Sequence, residues 1–461
     1  MSNKLLIQGN RIFDAEKKGF FPGIITIEDG KIVAVEKPDD ISLVNTVLTK
    51  GEHQLINAGD YVISPGFIDI HSHEDLFDDT QTCQVADDMV RMGVTTCVAG
   101  NCGTMFQPLD QFLAHVDTYG TPVNYVFFTG YNAQRKAAGV DLYGSCPAEK
   151  IEEVVSGLRR DLDLGAFGLS FGLEYAPGID VEEIAEAVAL IGRNDLKISI
   201  HIRDDKEASI PAVEEAIEIS RKTGLPVFIS HIGSMSAYGQ MKRVYELVEE
   251  ANNEGLEIHV DCYPYNAFST RIGSAVFDEA SMAKGKFSYD QILFVTGPFT
   301  GQYCDEELYK RARRDYPESF AVGFGMKEED ICYAYTRPET MVSSDGFVLE
   351  GQGHPRTAGS FPRVLGKYVR EESVLSLEEA LCKMTIMPAS AVGLKHKGKI
   401  APGMDADLVI FDPKAIIDKS DFSNANEPPQ GIEAVIVNGK ITVRNNHIKG
   451  RYGSFIPCNM F

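Results

Sequence analysis

His71 and His73 stand one residue apart in "PGFIDIHSH", and Cys102 lies between glycines in "GNCG". His201 and His231 follow in "HIRDD" and "ISHIG", and Asp345 ends the run "TMVSSDG". Imidazoles, a thiolate and a carboxylate are the donors that hold zinc and support metal-assisted hydrolysis. On a strand alternate residues face one side, so both imidazoles of the H-x-H pair point the same way. Beside a metal, Asp345 can take a proton from an attacking water and later return it to the leaving group; as Asp-Gly it also suits a turn. Cys102 has three readings at this point: a small core residue, half of a disulfide, or a metal ligand. Cys97, five positions earlier within the apolar run "VTTCVA", reads as core.

Such residues act together only if the fold brings them to one place. From about residue 61 to 396, eight apolar runs of strand length alternate with amphipathic segments such as "PAEKIEEVVSGLRRDL" and "VEEIAEAVALIGRN". This alternation predicts βα units on a parallel sheet, and eight units make a (β/α)8 TIM-like barrel in the α/β class. The runs end, in order, at His71 and His73, Cys102, Tyr131, Glu174 and Tyr175, His201 and Arg203, His231, Tyr263, and Asp345. In such a barrel those ends share the C-terminal face, where active sites lie. Asp69 and Asp261 fall near strand ends and are candidates to orient the ligands. Dinuclear barrel hydrolases often bridge their metals with a carboxylated lysine ending the fourth strand, and "GAFGLSFGLEY" has no lysine. Lys197 begins the fifth run and belongs to the opposite end, which leaves Cys102 as the anionic substitute.

Residues 1–60 and 397–461 read as short strands and hairpins, as in "GIITIEDGKIVAVEK" and "EAVIVNGKITVRN". Both ends are expected to form one small β-sandwich flanking the barrel. The stretch from about 277 to 340 is too long for one βα connection and reads as an inserted lid subdomain. The net charge of −23 argues against nucleic acid and anionic membranes as partners, since both would be repelled. No apolar run approaches the ~20 residues of a membrane span. Nine scattered cysteines, an odd number, suggest a reducing, cytoplasmic setting without disulfides. That removes the disulfide reading of Cys102.

The motifs "PGFIDIHSHED", "GVTTCVAGNCG", "GAFGLSFGLEYAPG", "HIRDD", "ISHIG", "DCYPYNAFST", "SSDG", "HPRTAGSFPRVLGKYVRE" and "GKIAPGMDADLVIFDP" run in order from about residue 60 to the C-terminus. Together they resemble the N-acyl-D-amino-acid deacylase (D-aminoacylase) branch of the amidohydrolase superfamily. The resemblance implies a tightly bound zinc on Cys102, His201 and His231, and a second, weaker metal position lined by His71 and His73. It implies Asp345 as the acid/base, and Tyr263 and Ser269 as holders of the substrate's α-carboxylate. The expected reaction is hydrolysis of a linear amide, an N-acyl-D-amino acid, to a carboxylate and a D-amino acid. The expected partner is a small molecule bearing a carboxylate, and a homo-oligomer stays open.

Two positions depart from the family pattern. Gly233 replaces a lysine that helps bind the substrate carboxylate; Arg271 is either a substitute for it, since guanidinium binds carboxylate bidentately, or a solvated arginine at a lid edge. Tyr131 stands where the family tends to have histidine; its hydroxyl either donates to a developing oxyanion or packs in the wall. The rival substrates on the same site are a cyclic amide of hydantoin or dihydropyrimidine type, an N-carbamoyl compound or an isopeptide. A non-catalytic barrel scaffold is the rival of another class, and it would be expected to have lost ligands that this chain retains.

Overall fold

The computed structural model describes residues 4–37, 53–74, 83–284, 287–349 and 351–460. Eight strands hydrogen-bond in chain order: Phe67–Asp69, Val94–Ala99, Asn124–Gly130, Gly168–Gly172, Lys197–His201, Val227–Ile229, Ile258–Cys262 and Thr340–Val342. Every neighbouring pair is parallel. The first and last strands meet just past their ends, where Ser72 bridges Gly346 and the Asp345 N–H donates to the His71 carbonyl at 2.8 Å. The molecule is a (β/α)8 barrel.

Sequence explains why these segments take these forms. Val94–Ala99 and Asn124–Gly130 are buried at every position, as strands covered on both faces must be. Helix Ala148–Leu164 buries Ile151, Val154, Val155, Leu158 and Leu162, the one-sided spacing of an amphipathic helix. Helix Val181–Ile191 begins at Asp180, whose carboxylate accepts the Glu183 N–H, and stops at Gly192 with φ +73°.

Both ends of the chain enter a second sheet. His53–Pro65 lies at its centre, parallel to Lys4–Asp14 and antiparallel to Leu408–Phe411. The strands of the sandwich expected there form a single hydrogen-bonded sheet of eight strands. Ile7, Ile25 and Ile56 from the N-terminal strands pack in one cluster with Ile410 and Ile436 from the C-terminal ones. The alternate residues Phe13, Val62, Val409 and Val435 join the barrel core instead. Period-two alternation thus gives this sheet two apolar faces.

Between the seventh and eighth barrel strands lies a three-stranded antiparallel sheet of Ala267–Arg271, Phe320–Phe324 and Ile292–Phe294. We place the start of the insertion at Ala267 rather than at about residue 277, because that first strand already pairs within it. Among the described residues no helix is long and apolar enough to cross a membrane. Among the described residues no disulfide joins any of the cysteines.

Candidate active site

The loop after the second strand is the most heavily constrained element of the site. Cys102 has φ +55°, a left-handed conformation that costs a non-glycine residue free energy. Polar groups from four strands and the loops after them hold it there. The Asn101 amide donates to the Val98 carbonyl at 2.9 Å and accepts from Ser199 Oγ at 2.9 Å. Ser170 Oγ receives the Gly103 N–H at 3.0 Å and donates to the Gly100 carbonyl. Buried Glu74 accepts the Phe106 N–H at 2.7 Å and the Gly100 N–H at 3.4 Å. A Cβ on Gly103 would lie 2.1 Å from Asn132 Oδ1, so only glycine lets the loop approach so closely.

This anchoring brings Cys102 Sγ to 3.4 Å from His71 Nε2 and 3.4 Å from His231 Nε2. His201 Nδ1 lies 3.0 Å from His231 Nε2. His73 Nε2 lies 3.2 Å from Asp345 Oδ1, and His71 Nε2 lies 3.7 Å from the same oxygen. Three overlapping triads result: Cys102, His201 and His231; His71, His73 and Cys102; His71, His231 and Asp345. Within each, the potential ligand atoms lie within 4.8 Å of one another. All six sequence-selected metal and acid/base residues therefore meet in one cluster. Cys102 belongs to two triads, the arrangement needed for an anion shared between neighbouring metal positions. The donors fit a metal on a second count as well: His73 Nδ1 is buried without a hydrogen-bond partner among the described residues.

Electrostatics in the cluster follow from burial opposed by opposite charge. Burial alone would raise the Cys102 thiol, but His71 and His231 hold it well below the usual thiol range. Burial opposes charge on His73 and His201, yet the bonds of His73 to Asp345 and of His201 to Cys102 and Glu174 carry each to about 9. Burial would also raise Asp345, but Arg356, whose Nη1 is 2.8 Å away, and His231 hold it well below the ordinary carboxylate range. Asp69 behaves differently: burial lifts it to about 7 while it accepts the Ser344 hydroxyl and the His71 N–H. Asp261 accepts the His231 N–H at 3.0 Å and faces His71 Nδ1 at 3.5 Å. The two aspartates therefore support the ligands from behind.

A cavity of about 590 Å³ opens over the cluster, lined by His73, Cys102, His201, His231, Asp345 and Arg356 among others. Ser269 and Arg271 reach it from the inserted sheet. Three of the expected substrate residues take different positions around the cavity. Tyr131 opens helix Tyr131–Ala137, points away from the cavity, and donates to Glu183 Oε1 at 2.9 Å. Its neighbour Asn132 lines the cavity instead. Tyr263 is fully buried beneath Arg356, its ring 4.7 Å from the guanidinium carbon, and does not line the cavity. Arg271 lines the cavity, is 44% exposed and pairs with Glu318 at 3.0 Å. At Gly233 the packing is tight: a Cβ would lie 2.9 Å from Ile331 Cδ1 and 3.1 Å from Cys262 Sγ, so a side chain there would require these neighbours to shift.

Arg356 is the residue that sequence reading passed over. It starts helix Arg356–Arg363, is 5% exposed, and also approaches the Ser269 carbonyl. Its N–H donates to His354 Nδ1 at 3.0 Å, which fixes the turn before the helix. The available signal was a lone cation in the otherwise small and apolar "RTAGSF".

Comparison with known proteins adds the family. Residues 340–443 match the amidohydrolase family model. The D-aminoacylase of Alcaligenes xylosoxydans xylosoxydans is 31% identical over 437 residues, covering 87% of this chain and 88% of the relative. The chain belongs to the D-aminoacylase branch of the amidohydrolases. It is an enzyme, a hydrolase of C–N bonds other than peptide bonds. Among solved structures, a D-aminoacylase variant in complex with copper chloride superposes with a TM-score of 0.86 at 28% identity, covering 98% of this chain and 99% of that one. The N-acyl-D-glutamate deacylase of Bordetella bronchiseptica, complexed with zinc and a phosphonate mimic of the tetrahedral intermediate, gives 0.85 at 28% identity. Coverage there is 99% of this chain and 100% of the other. This D-aminoacylase relative thus shares its whole fold with metal-loaded hydrolases.

Proposed function

We propose that the enzyme hydrolyses the linear amide of N-acyl-D-amino acids. Cys102, His201 and His231 would hold one tightly bound zinc, with His71 and His73 lining a second, weaker position. The observation that carries this reading is the cluster of overlapping triads around Cys102, with Asp345 beside it and the cavity above it. When bound, zinc supplies Lewis acidity toward a carbonyl oxygen and toward water.

The side chains divide the remaining work. Asp345, held ionised by Arg356, accepts a proton from the attacking water and delivers it to the departing nitrogen. Water adds to the acyl carbon, the C–N bond breaks, and the products are a carboxylate and an amine. Arg356 takes the substrate's α-carboxylate, because it is a buried cation on the cavity wall one contact from the acid/base. Ser269 borders that position, and the Tyr263 ring supports the guanidinium from beneath.

The test is a panel of N-acetyl-D-, N-acetyl-L- and N-carbamoyl amino acids and a hydantoin, assayed with metal-depleted and zinc-restored enzyme. The reading expects turnover of the N-acetyl-D compounds, lost on depletion and regained with zinc. Equal or higher kcat/KM on the hydantoin or the N-carbamoyl compound, or turnover indifferent to zinc, overturns it.

A further inference from the structure

We propose that Glu174 is a positioning residue that fixes which nitrogen His201 presents to a metal. Glu174 follows the fourth strand, at the place in the barrel where a bridging lysine is absent. Its Oε2 lies 2.8 Å from His201 Nε2, and its side chain is 12% exposed. A neutral imidazole carries one proton, and a carboxylate acceptor draws that proton to the nitrogen facing it. In the neutral, metal-binding imidazole the Nε2–H would donate to Glu174, leaving the Nδ1 lone pair on the side of His231 and Cys102. The ring of Tyr175, the next residue, packs on the His201 ring with centroids 4.4 Å apart. One dipeptide thus sets both the tautomer and the tilt of a ligand contributed by the next strand.

The other histidines have different partners at the corresponding place. Ser234 Oγ lies 2.9 Å from His231 Nδ1, which leaves His231 Nε2 toward Cys102. His71 Nδ1 faces Asp261 at 3.5 Å. Glu174 makes the shortest of these three contacts, and, unlike Ser234, it offers a carboxylate. It is also a cavity-lining group, unlike Asp261, so a substrate-binding role is the alternative that an experiment must separate.

The inference rests on the Cys102–His201–His231 reading of the metal site. The zinc-loaded Glu174→Gln and Glu174→Leu variants would be compared with wild type for the rate of zinc release to a chromophoric chelator. Removing such a partner typically costs ~10–100-fold in metal affinity. The leucine variant is expected to release zinc faster by a factor in this range. Glutamine keeps an acceptor oxygen and is expected to restore part of the difference. The visible spectrum of the cobalt-substituted protein should shift in the leucine variant and return toward wild type in the glutamine variant. Unchanged zinc release and cobalt spectra, with KM raised in both variants, would make Glu174 a substrate contact and overturn the proposal. If the leucine variant does not fold, the isosteric glutamine variant decides alone, with release at the wild-type rate counting against the proposal. Cys102→Ser serves as the control: zinc retained as in wild type would refute the metal-site reading itself.

Discussion

Asp345→Asn isolates the proton-carrying step from the geometry around it. Asparagine preserves the shape and an oxygen for Arg356 Nη1, now 2.8 Å away, but removes the charge and the proton-accepting site. General acid–base groups contribute typically ~10²–10⁴ in rate. At 1.36 kcal/mol per decade, that is about 2.7–5.4 kcal/mol of activation free energy. The loss should fall on kcat rather than KM, because the acyl and carboxylate contacts remain. A stability cost accompanies it. Arg356 is 5% exposed and Asp345 7%, so neutralising one partner leaves a buried guanidinium without its anion. Breaking a buried pair in this way costs ~3–5 kcal/mol, and the remaining amide oxygen places the expected value near the lower end. Adding Arg356→Gln to Asp345→Asn should recover part of that cost, a coupling of about 1–3 kcal/mol. The assays are steady-state kinetics with N-acetyl-D-amino acids, zinc content per chain, and urea unfolding of the single and double variants. An Asp345→Asn enzyme with unchanged zinc and kcat within tenfold of wild type would refute the proton-carrier assignment.

Three further outcomes follow from the same structure. Cys102→Ala should lose its zinc and nearly all turnover while circular dichroism stays native; wild-type zinc content and rate would remove Cys102 from the ligand set. Tyr131→Phe removes only the hydroxyl that donates to Glu183, so kcat/KM should stay within about twofold while stability drops by about 1 kcal/mol. A large loss of kcat with unchanged stability would return Tyr131 to the cavity. Lys383 is buried where its ammonium donates to the Arg337 and Thr340 carbonyls at the base of the eighth strand, and burial brings it down to about 8 from 10.5. The folded value lies below the unfolded one, so the penalty is full below about 8 and relieved as pH rises toward 10.5. Relative to Lys383→Met, wild type should therefore gain up to ~3 kcal/mol across that window in urea unfolding, and parallel curves would contradict the burial argument.

The sequence by itself determined the barrel and the residues gathered at its mouth. Eight apolar runs, each followed by a helical segment, admit few arrangements, and parallel strands bring all their C-terminal ends to one face. His71, His73, Cys102, His201, His231 and Asp345 all fall at or within four residues of those ends. Period-two alternation holds only while the chain is extended, and this is where sequence reading lost its hold. Tyr131 and Asn132 lie just past the third strand, in the first turn of a helix, so the residue facing the cavity moved from one to the other. Arg356 comes eleven positions after Asp345, beyond a short hairpin and a turn, where neither helical nor strand spacing links the two. Gly233 could be seen as a departure, but only the tertiary structure shows how closely Ile331 and Cys262 pack over it. Cys102, His231 and Asp345 all adopt positive φ, at +55°, +32° and +48°. Such conformations are local costs that no residue type announces. They persist because tertiary hydrogen bonds from neighbouring strand ends offset them, and those bonds also aim the three side chains at one another.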